Sequence, residues 1–284
     1  IMNLFASANM HISFVAEPVF HIGNFTVNNA MTLGAIGLIV TLLLSFYAAS
    51  VVKKGKKNVF TSLFSWMFDT LYRQVIEIIP NRKVAKSIAP IAITIFIFVL
   101  VNYWLSVLPG VGSITTNGTP LFRGLPADLN FTLALAIVTV ISVQVYAVKQ
   151  LGLVGNASRY FRNPFKDPVG AFEGLLELVG EFSRVVSLSL RLFGNAFAGE
   201  ILLVVIAVLA GYFSTLALPV VMGFELFIGF IQAYVFFILT LIFTSLAIEG
   251  HGDAHDGNSK KLPSSKEDHS PVTVKPEMAN RSQE

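Results

Sequence analysis

The 284-residue chain is 54% hydrophobic and only 13% charged, with a formal net charge of +3. This composition is too apolar for a soluble globular domain of that length, so it indicates an integral membrane protein and leaves no room for a soluble enzyme core. The sequence contains no cysteine, which excludes disulfides, cysteine metal ligands and thiol catalysis.

Residues 1–31 are polar and lack an apolar core behind a basic start, so we expect an outer N-terminal segment and no cleaved signal peptide. The membrane domain is predicted to follow over 32–248. Three of its segments are uncharged and about 20 residues long, which is enough for a helix to cross roughly 30 Å of hydrocarbon. They are 32–52, 88–108 and 129–148.

Segment 59–79 is apolar enough to resemble another span, but its charged residues share one helical face. Asp69, Arg73 and Glu77 follow one another at intervals of one helical turn. Large apolar residues lie around the other side, and they include Leu63, Trp66, Met67 and Leu71. The pattern predicts an amphipathic helix on the cytoplasmic surface.

Two further apolar segments, 168–211 and 216–248, are predicted to be helices far longer than one upright span requires. At 1.5 Å per residue each would reach about 50 Å or more, against roughly 30 Å of hydrocarbon. We therefore predict an all-α membrane protein with five transmembrane helices, of which the last two form a steeply tilted hairpin with a bend near Pro219.

Residues 249–284 lose all apolar periodicity and are rich in Ser, Pro, Lys and Asp, which predicts a disordered cytoplasmic tail. Two histidines and two aspartates of this tail could bind a metal weakly: His251, Asp253, His255 and Asp256. Because a disordered segment is poorly preorganised for a metal, we favour a solvated tail and predict no metal site and no cofactor.

The basic residues predict the orientation of the chain. Of 20 Lys and Arg, eight lie between the first and second spans, four between the third and fourth, and five in the tail. The first thirty residues contain none. Cationic loops are retained in the cytoplasm, so the pattern predicts an outer N-terminus and a cytoplasmic C-terminus. We interpret these loops as topology signals and expect no nucleic-acid binding.

The fourth span carries a permanent charge, because the guanidinium of Arg191 cannot lose its proton. At 100° per residue, Ser187, Asn195 and Ala198 lie within about 40° of Arg191, a small-residue stripe that lets another helix approach closely. No carboxylate lies on this face at the depth of the arginine. The sequence therefore predicts that the group paired with Arg191 comes from a partner protein.

Polar residues also lead away from Arg191 in both directions. Toward the cytoplasm, Glu173 and Glu177 lie on its own face. Toward the outside, Glu200 lies about 13 Å further along the helix on the opposite face. Three more polar residues are predicted to complete an outward-opening cavity with Glu200: Glu225 and Gln232 on the last span, and Asp128 at the outer mouth of the third. Two offset routes meeting at a fixed charge are what separated proton half-channels require.

The segment 187–200, SLSLRLFGNAFAGE, closely resembles the signature of subunit a of F-type ATP synthases, the membrane stator subunit beside a rotating c-ring. Segments 11–29, 102–110, 126–130 and 232–236 are similar to further parts of that family. The resemblance implies a non-catalytic, proton-translocating subunit in a bacterial plasma (inner) membrane, an energy-converting organelle membrane being less expected. Its implied partners are the c-subunit ring, the b-subunit peripheral stalk and the lipid bilayer.

The resemblance also implies individual roles. Arg191 would face the carboxylate of a c-subunit, with Asn195 and Gln232 near it, and Glu200 would lie in the inlet route. Family members vary between histidine and an acid at the positions of Glu200 and Glu225, whereas both are Glu here. Two nearby acids could share a proton, so which of them transfers it stays open.

Several alternatives remain open from the sequence alone. Glu200 and Glu225 could be protonated acids that bond between helices, and Glu173 and Glu177 could merely complement the helix dipole. Asp128 could only cap a helix, and Gln232 could be a plain interhelical hydrogen-bond donor. A self-contained transporter should carry its own carboxylate near the arginine, and an assembly factor would need no intramembrane charge.

Overall fold

The structure is a computed structural model, and it describes residues 15–23, 25–53, 59–111, 114–116, 119–160 and 168–248. The predicted tail over 249–284 and the first half of the predicted N-terminal segment lie outside the described residues.

Six long helices make up most of the described chain. They are α1 (Asn29–Lys53), α2 (Val59–Ile78), α3 (Arg82–Val107), α4 (Leu129–Tyr160), α5 (Pro168–Leu209) and α6 (Ser214–Ile248). Within the described residues, all of these except α2 are long and apolar enough to cross a membrane, and they correspond in order to the five predicted spans. The prediction of a mostly helical protein with five candidate transmembrane helices is thereby confirmed.

The protein is not wholly helical, because two short antiparallel hairpins interrupt the helices. Strands β1 (Pro18–Ile22) and β2 (Phe25–Asn28) pair before α1, and β3 (Thr115–Thr116) pairs with β4 (Thr119–Pro120) between α3 and α4. The first hairpin is rich in β-branched and aromatic residues, which favour strands. Its turn contains Gly23 at a φ of 62°, a conformation that glycine adopts without strain.

The start of α1 is bonded to the loop that precedes α4. The carbonyl of Asn29 accepts from the amide of Arg123 at 3.3 Å. The hydroxyl of Thr32 donates to the carbonyl of Leu121 at 2.8 Å. The loop over 121–128 is therefore fixed to the start of α1 by one backbone hydrogen bond and one side-chain hydrogen bond.

Helix α4 continues well beyond the predicted end of its span at residue 148. It reaches Tyr160 across a kink at Gly152, where φ is 77° and ψ is 164°. Beyond the kink the chain folds back, since the Asn156 amide donates to Gln144 Oε1 at 3.2 Å and Gln144 donates to the Tyr160 hydroxyl at 3.0 Å. The sequence carries no proline between residues 129 and 163 to end the helix, and the glycine at position 152 reverses it instead.

Helix α2 packs through a narrower face than its apolar pattern suggested. Leu71 and Val75 are buried, whereas Leu63 and Trp66 are exposed. Two polar contacts attach α2 to α6: Gln74 Nε2 donates to the Tyr234 hydroxyl at 2.7 Å, and the Ser245 hydroxyl donates to the Ile78 carbonyl at 3.2 Å.

The core is centred where α3 meets α6, and aromatic side chains of these two helices contact one another there. Phe96 makes edge-to-face contacts with Phe230 and Phe237, with ring centroids 6.1 Å apart in each pair. Tyr103 is fully buried and lies against Gly229, where a Cβ atom would overlap its ring. The close approach of these two helices therefore depends on a glycine.

We expect Gly229→Ala to lower the free energy of unfolding by about 1–3 kcal/mol, because the added methyl group overpacks the Tyr103 ring. Unfolding of the detergent-solubilised subunit in mixed micelles would measure the loss. Gly223→Ala is the matched control on the same helix, since a Cβ there meets nothing within 4 Å. Equal stabilities of the two variants would contradict the packing argument.

Candidate functional site

Helix α5 presents its two central charged residues to different surroundings. Arg191 is exposed on the surface of the chain, whereas Glu200 is partly buried and turned toward the loop before α4. Nine residues separate them, or two and a half helical turns, which accounts for the opposite directions. The uninterrupted helix over Pro168–Leu209 holds this relation rigidly.

Arg191 has no charge partner in the part of the chain that the structure describes: its guanidinium makes neither a hydrogen bond nor an ion pair there. Ser187, Asn195 and Ala198 on the same face are exposed as well. A fixed positive charge thus stands on an open, small-residue surface of an apolar helix.

Gln232 contacts the face of α5 that carries Arg191. Its Oε1 atom accepts a hydrogen bond of 2.7 Å from Nδ2 of Asn195, one helical turn from Arg191. Gln232 is only 3% exposed, so this bond joins a buried amide of α6 to an exposed amide of α5. It links the two last helices next to the guanidinium.

Glu200 contacts two consecutive residues of the 121–128 loop. Its Oε1 accepts from the amide of Gly124 at 3.0 Å, and its Oε2 lies 3.6 Å from Nε of Arg123. Arg123 is 7% exposed, and its guanidinium lies 5.7 Å from the ring centroid of Phe197. The intramembrane acid is therefore paired with a buried cation.

Glu225 is the more deeply buried acid, at 3% exposure. The Tyr103 hydroxyl donates to its Oε2 atom at 3.3 Å. Its carboxylate packs directly on Gly199, where a Cβ would overlap it. Since Gly199 precedes Glu200, the Glu225 carboxylate lies against the turn of α5 that carries Glu200.

Asp128 caps helix α4. Its Oδ1 accepts from the amide of Asn130 at 2.9 Å, and its carbonyl accepts from the amide of Thr132 at 3.1 Å. Within the described residues it bonds to neither Glu200 nor Glu225. It shares with Glu200 only the buried loop that leads into α4.

Glu173 and Glu177 lie near the start of α5, the first exposed and the second half-buried. Glu177 is about 21 Å along the axis from Arg191. Between them, Glu181 accepts a bond of 2.6 Å from Arg184, whose guanidinium lies 4.9 Å from the ring centroid of Phe243. The row of acidic residues that leads along α5 toward Arg191 thus contains one ion pair, between Glu181 and Arg184.

The sequence did not reveal two residues of this site. Arg123 was visible only as the one cation between 109 and 128, a signal that its pairing with Glu200 now explains. Tyr103 carried no signal beyond its place near the end of an apolar span. Among the described residues, no group of three or more His, Cys, Asp or Glu could hold a metal ion.

A model of the family described as ATP synthase A chain matches residues 30–245. The chain belongs to this family. The matched region of this ATP synthase A chain contains every candidate residue from Arg123 to Gln232.

Curated relatives agree with the family match. ATP synthase subunit a of Mycobacterium ulcerans (strain Agy99) is 34% identical over 233 residues, which cover 81% of this chain and 91% of that protein. ATP synthase subunit a of Enterococcus hirae is 34% identical over 241 residues, covering 81% of this chain and 96% of the relative. ATP synthase subunit a 2 of Vibrio campbellii is 34% identical over 219 residues, or 75% and 85% of the two chains.

A double-mutant cycle on Asn195→Ala and Gln232→Ala should give a coupling free energy of about 0.6 kcal/mol, and at most about 1.7 kcal/mol, the range of side-chain bonds between membrane helices. Unfolding of the solubilised subunit measures each variant. Losses that add without coupling would contradict the hydrogen bond between α5 and α6.

Proposed function

We propose that this ATP synthase A chain is the stator subunit a of a rotary F-type ATP synthase, coupling proton flow across the membrane to rotation of a c-ring. The observation that carries the proposal is Arg191, an exposed cation of an apolar helix with no partner in the described chain. A charge at membrane depth is costly unless paired. A carboxylate on a ring of c-subunits is the partner that fits.

The inlet half-channel opens outward on the side of α5 opposite Arg191. Protons enter past Asp128, Glu225 and Glu200 and reach a carboxylate of the ring. Support for this route comes from the Glu225 carboxylate, which lies against Gly199 on the turn of α5 that carries Glu200. Asp128 combines this role with its capping of α4.

The exit half-channel opens to the cytoplasm after nearly a full rotation of the ring, past Glu177 and Glu173. Their place on the Arg191 side of α5, nearer its first turn, supports this direction. The internal pair of Glu181 and Arg184 keeps charge balanced along the way.

Arg191 separates the two half-channels. Its permanent charge blocks a direct leak and keeps the passing carboxylate ionised until that group reaches the inlet. Once protonated, the carboxylate moves into lipid at much lower cost, because a neutral group loses less hydration there. Asn195 and Gln232 flank this contact through their mutual hydrogen bond. The chain itself makes and breaks no covalent bond.

The same proposal assigns the chain to a bacterial plasma membrane, with the N-terminal segment outside and the tail over 249–284 in the cytoplasm. The excess of basic residues in alternate loops supports this orientation. Helices α5 and α6 form a steeply tilted hairpin beside the ring, because 42 and 35 residues exceed one upright span. Helix α2 lies at the cytoplasmic surface, close to the peripheral stalk of b-subunits.

Arg191→Ala tests the proposal in membrane vesicles that contain the assembled synthase. We expect ATP-driven proton pumping to fall to the level of vesicles without the complex, because the passing carboxylate loses its counter-charge. ATP hydrolysis by the catalytic head should continue. Quenching of a pH-sensitive dye and phosphate release measure the two activities.

Arg73→Ala is the control, since Arg73 is an exposed arginine of α2. It should pump protons like the unaltered complex. Unchanged pumping by the Arg191→Ala complex would overturn the proposal.

A further inference from the structure

We infer that Arg123 is a positioning residue for Glu200, holding its carboxylate in one place and orientation inside the inlet half-channel. This inference rests on the proposed function of Glu200. Arg123 does not itself carry the proton, and it lies 77 positions before Glu200 in the sequence.

A hydrogen-bond donor and a cation, from consecutive residues, meet the two oxygens of one carboxylate. The amide of Gly124 bonds Oε1 at 3.0 Å, while Nε of Arg123 lies 3.6 Å from Oε2. A group held at both oxygens cannot rotate freely, so the direction in which it accepts or passes a proton is defined.

Arg123 is committed to this contact by its own burial. It is 7% exposed, and its Nε and Nη2 atoms make no hydrogen bond within the described residues. An ion in such surroundings needs an opposite charge nearby, and the ion pair that the structure gives it is with Glu200. The Phe197 ring, one turn earlier on α5, lies 5.7 Å from the guanidinium and adds a favourable cation–π contact.

The loop that carries Arg123 is itself anchored. The Arg123 amide donates to the Asn29 carbonyl at 3.3 Å, and the Ala127 amide donates to the Gly124 carbonyl at 3.0 Å. A cation on a fixed backbone can define the position of a neighbouring side chain, whereas one on a free loop would follow it.

The second acid of the site has a separate donor. Glu225 accepts from the Tyr103 hydroxyl at 3.3 Å, and the structure gives it no contact with Arg123 within the described residues. The charged and titratable groups around Glu200 are thus Arg123 on the loop, Glu225 on α6 and Tyr103 on α3. Removal of Arg123 should therefore act on Glu200 first.

The first test compares Arg123→Gln and Arg123→Lys in vesicles that contain the assembled synthase. The glutamine variant should lose about 10- to 100-fold in ATP-driven proton pumping, the scale expected when a reacting group is misplaced by about 1 Å. The lysine variant keeps the charge and should recover part of the rate. The pH dependence of passive proton conduction should move in the glutamine variant and stay in place in Arg73→Gln, an exposed arginine control.

The second test displaces the Glu200 carboxylate at Gly124, whose amide donates to it, and leaves Arg123 unchanged. Gly124 has a φ of −55°, which alanine adopts easily, but a Cβ there would lie 2.7 Å from Glu200 Oε1 and 2.7 Å from the Cβ of Ser106. Gly124→Ala should thus displace the carboxylate and reproduce the Arg123→Gln loss. Gly155→Ala is its control, since its Cβ meets only Leu151 at an ordinary 3.5 Å.

The outcomes separate this inference from the proposed function. Losses in Arg123→Gln and Gly124→Ala, with partial recovery in Arg123→Lys and normal controls, support it. Normal pumping by Arg123→Gln and Gly124→Ala while Glu200→Gln fails overturns it and leaves the proposed function intact. A lysine variant that pumps no better than the glutamine variant also overturns it.

If immunoblots show that Arg123→Gln is not incorporated into the complex, Gly124→Ala decides alone. Normal pumping by both Glu200→Gln and Arg191→Ala would instead overturn the proposed function.

Discussion

The need to pair a permanent charge in an apolar environment governs this structure. A guanidinium cannot become neutral, so each arginine among apolar helices must find an acid or face an opening toward one. Arg123 is buried and paired with Glu200 inside the chain. Arg191 is exposed and unpaired within the described residues. One cation is thus paired within the folded chain, and the other lies unpaired among the described residues on the opposite side of α5.

Glycines let the polar side chains enter closely packed helices. Gly199 leaves room for the Glu225 carboxylate, Gly229 for the Tyr103 ring and Gly37 for the Asn102 amide. In each case the helix with the glycine lacks a side chain where a neighbour inserts a polar one, a form of close packing common in membranes. The buried polar side chains and the close packing of the helices therefore depend on the same contacts, and a substitution that alters one alters the other.

The helices were predictable because their signals are local. The length of the apolar segment predicted the end of α5 to within two residues of its observed position. A rotation of 100° per residue placed Arg191 and Glu200 on opposite sides of that helix, in agreement with their different surroundings. The reversal at Gly152 and the turn at Gly23 depend on positive φ angles, which periodicity does not encode. The Arg123–Glu200 pair joins a loop to a distant helix, so no spacing rule could find it. Helical spacing predicted that Gln232 shares a face with Glu225, and the resemblance implied that it lies near Arg191 together with Asn195, to which it is hydrogen-bonded.

The attachment of α2 to α6 has a mechanical consequence. Gln74 and the carbonyl of Ile78 bond Tyr234 and Ser245, points eleven residues apart on the last helix. A helix fastened at two points resists sliding and rolling together, whereas one fastened at a single point pivots. Sideways load on α6 would pass through both bonds into α2, and from there through buried Leu71 and Val75 into the core. Helix α2 therefore supports α6 laterally along eleven residues of its length.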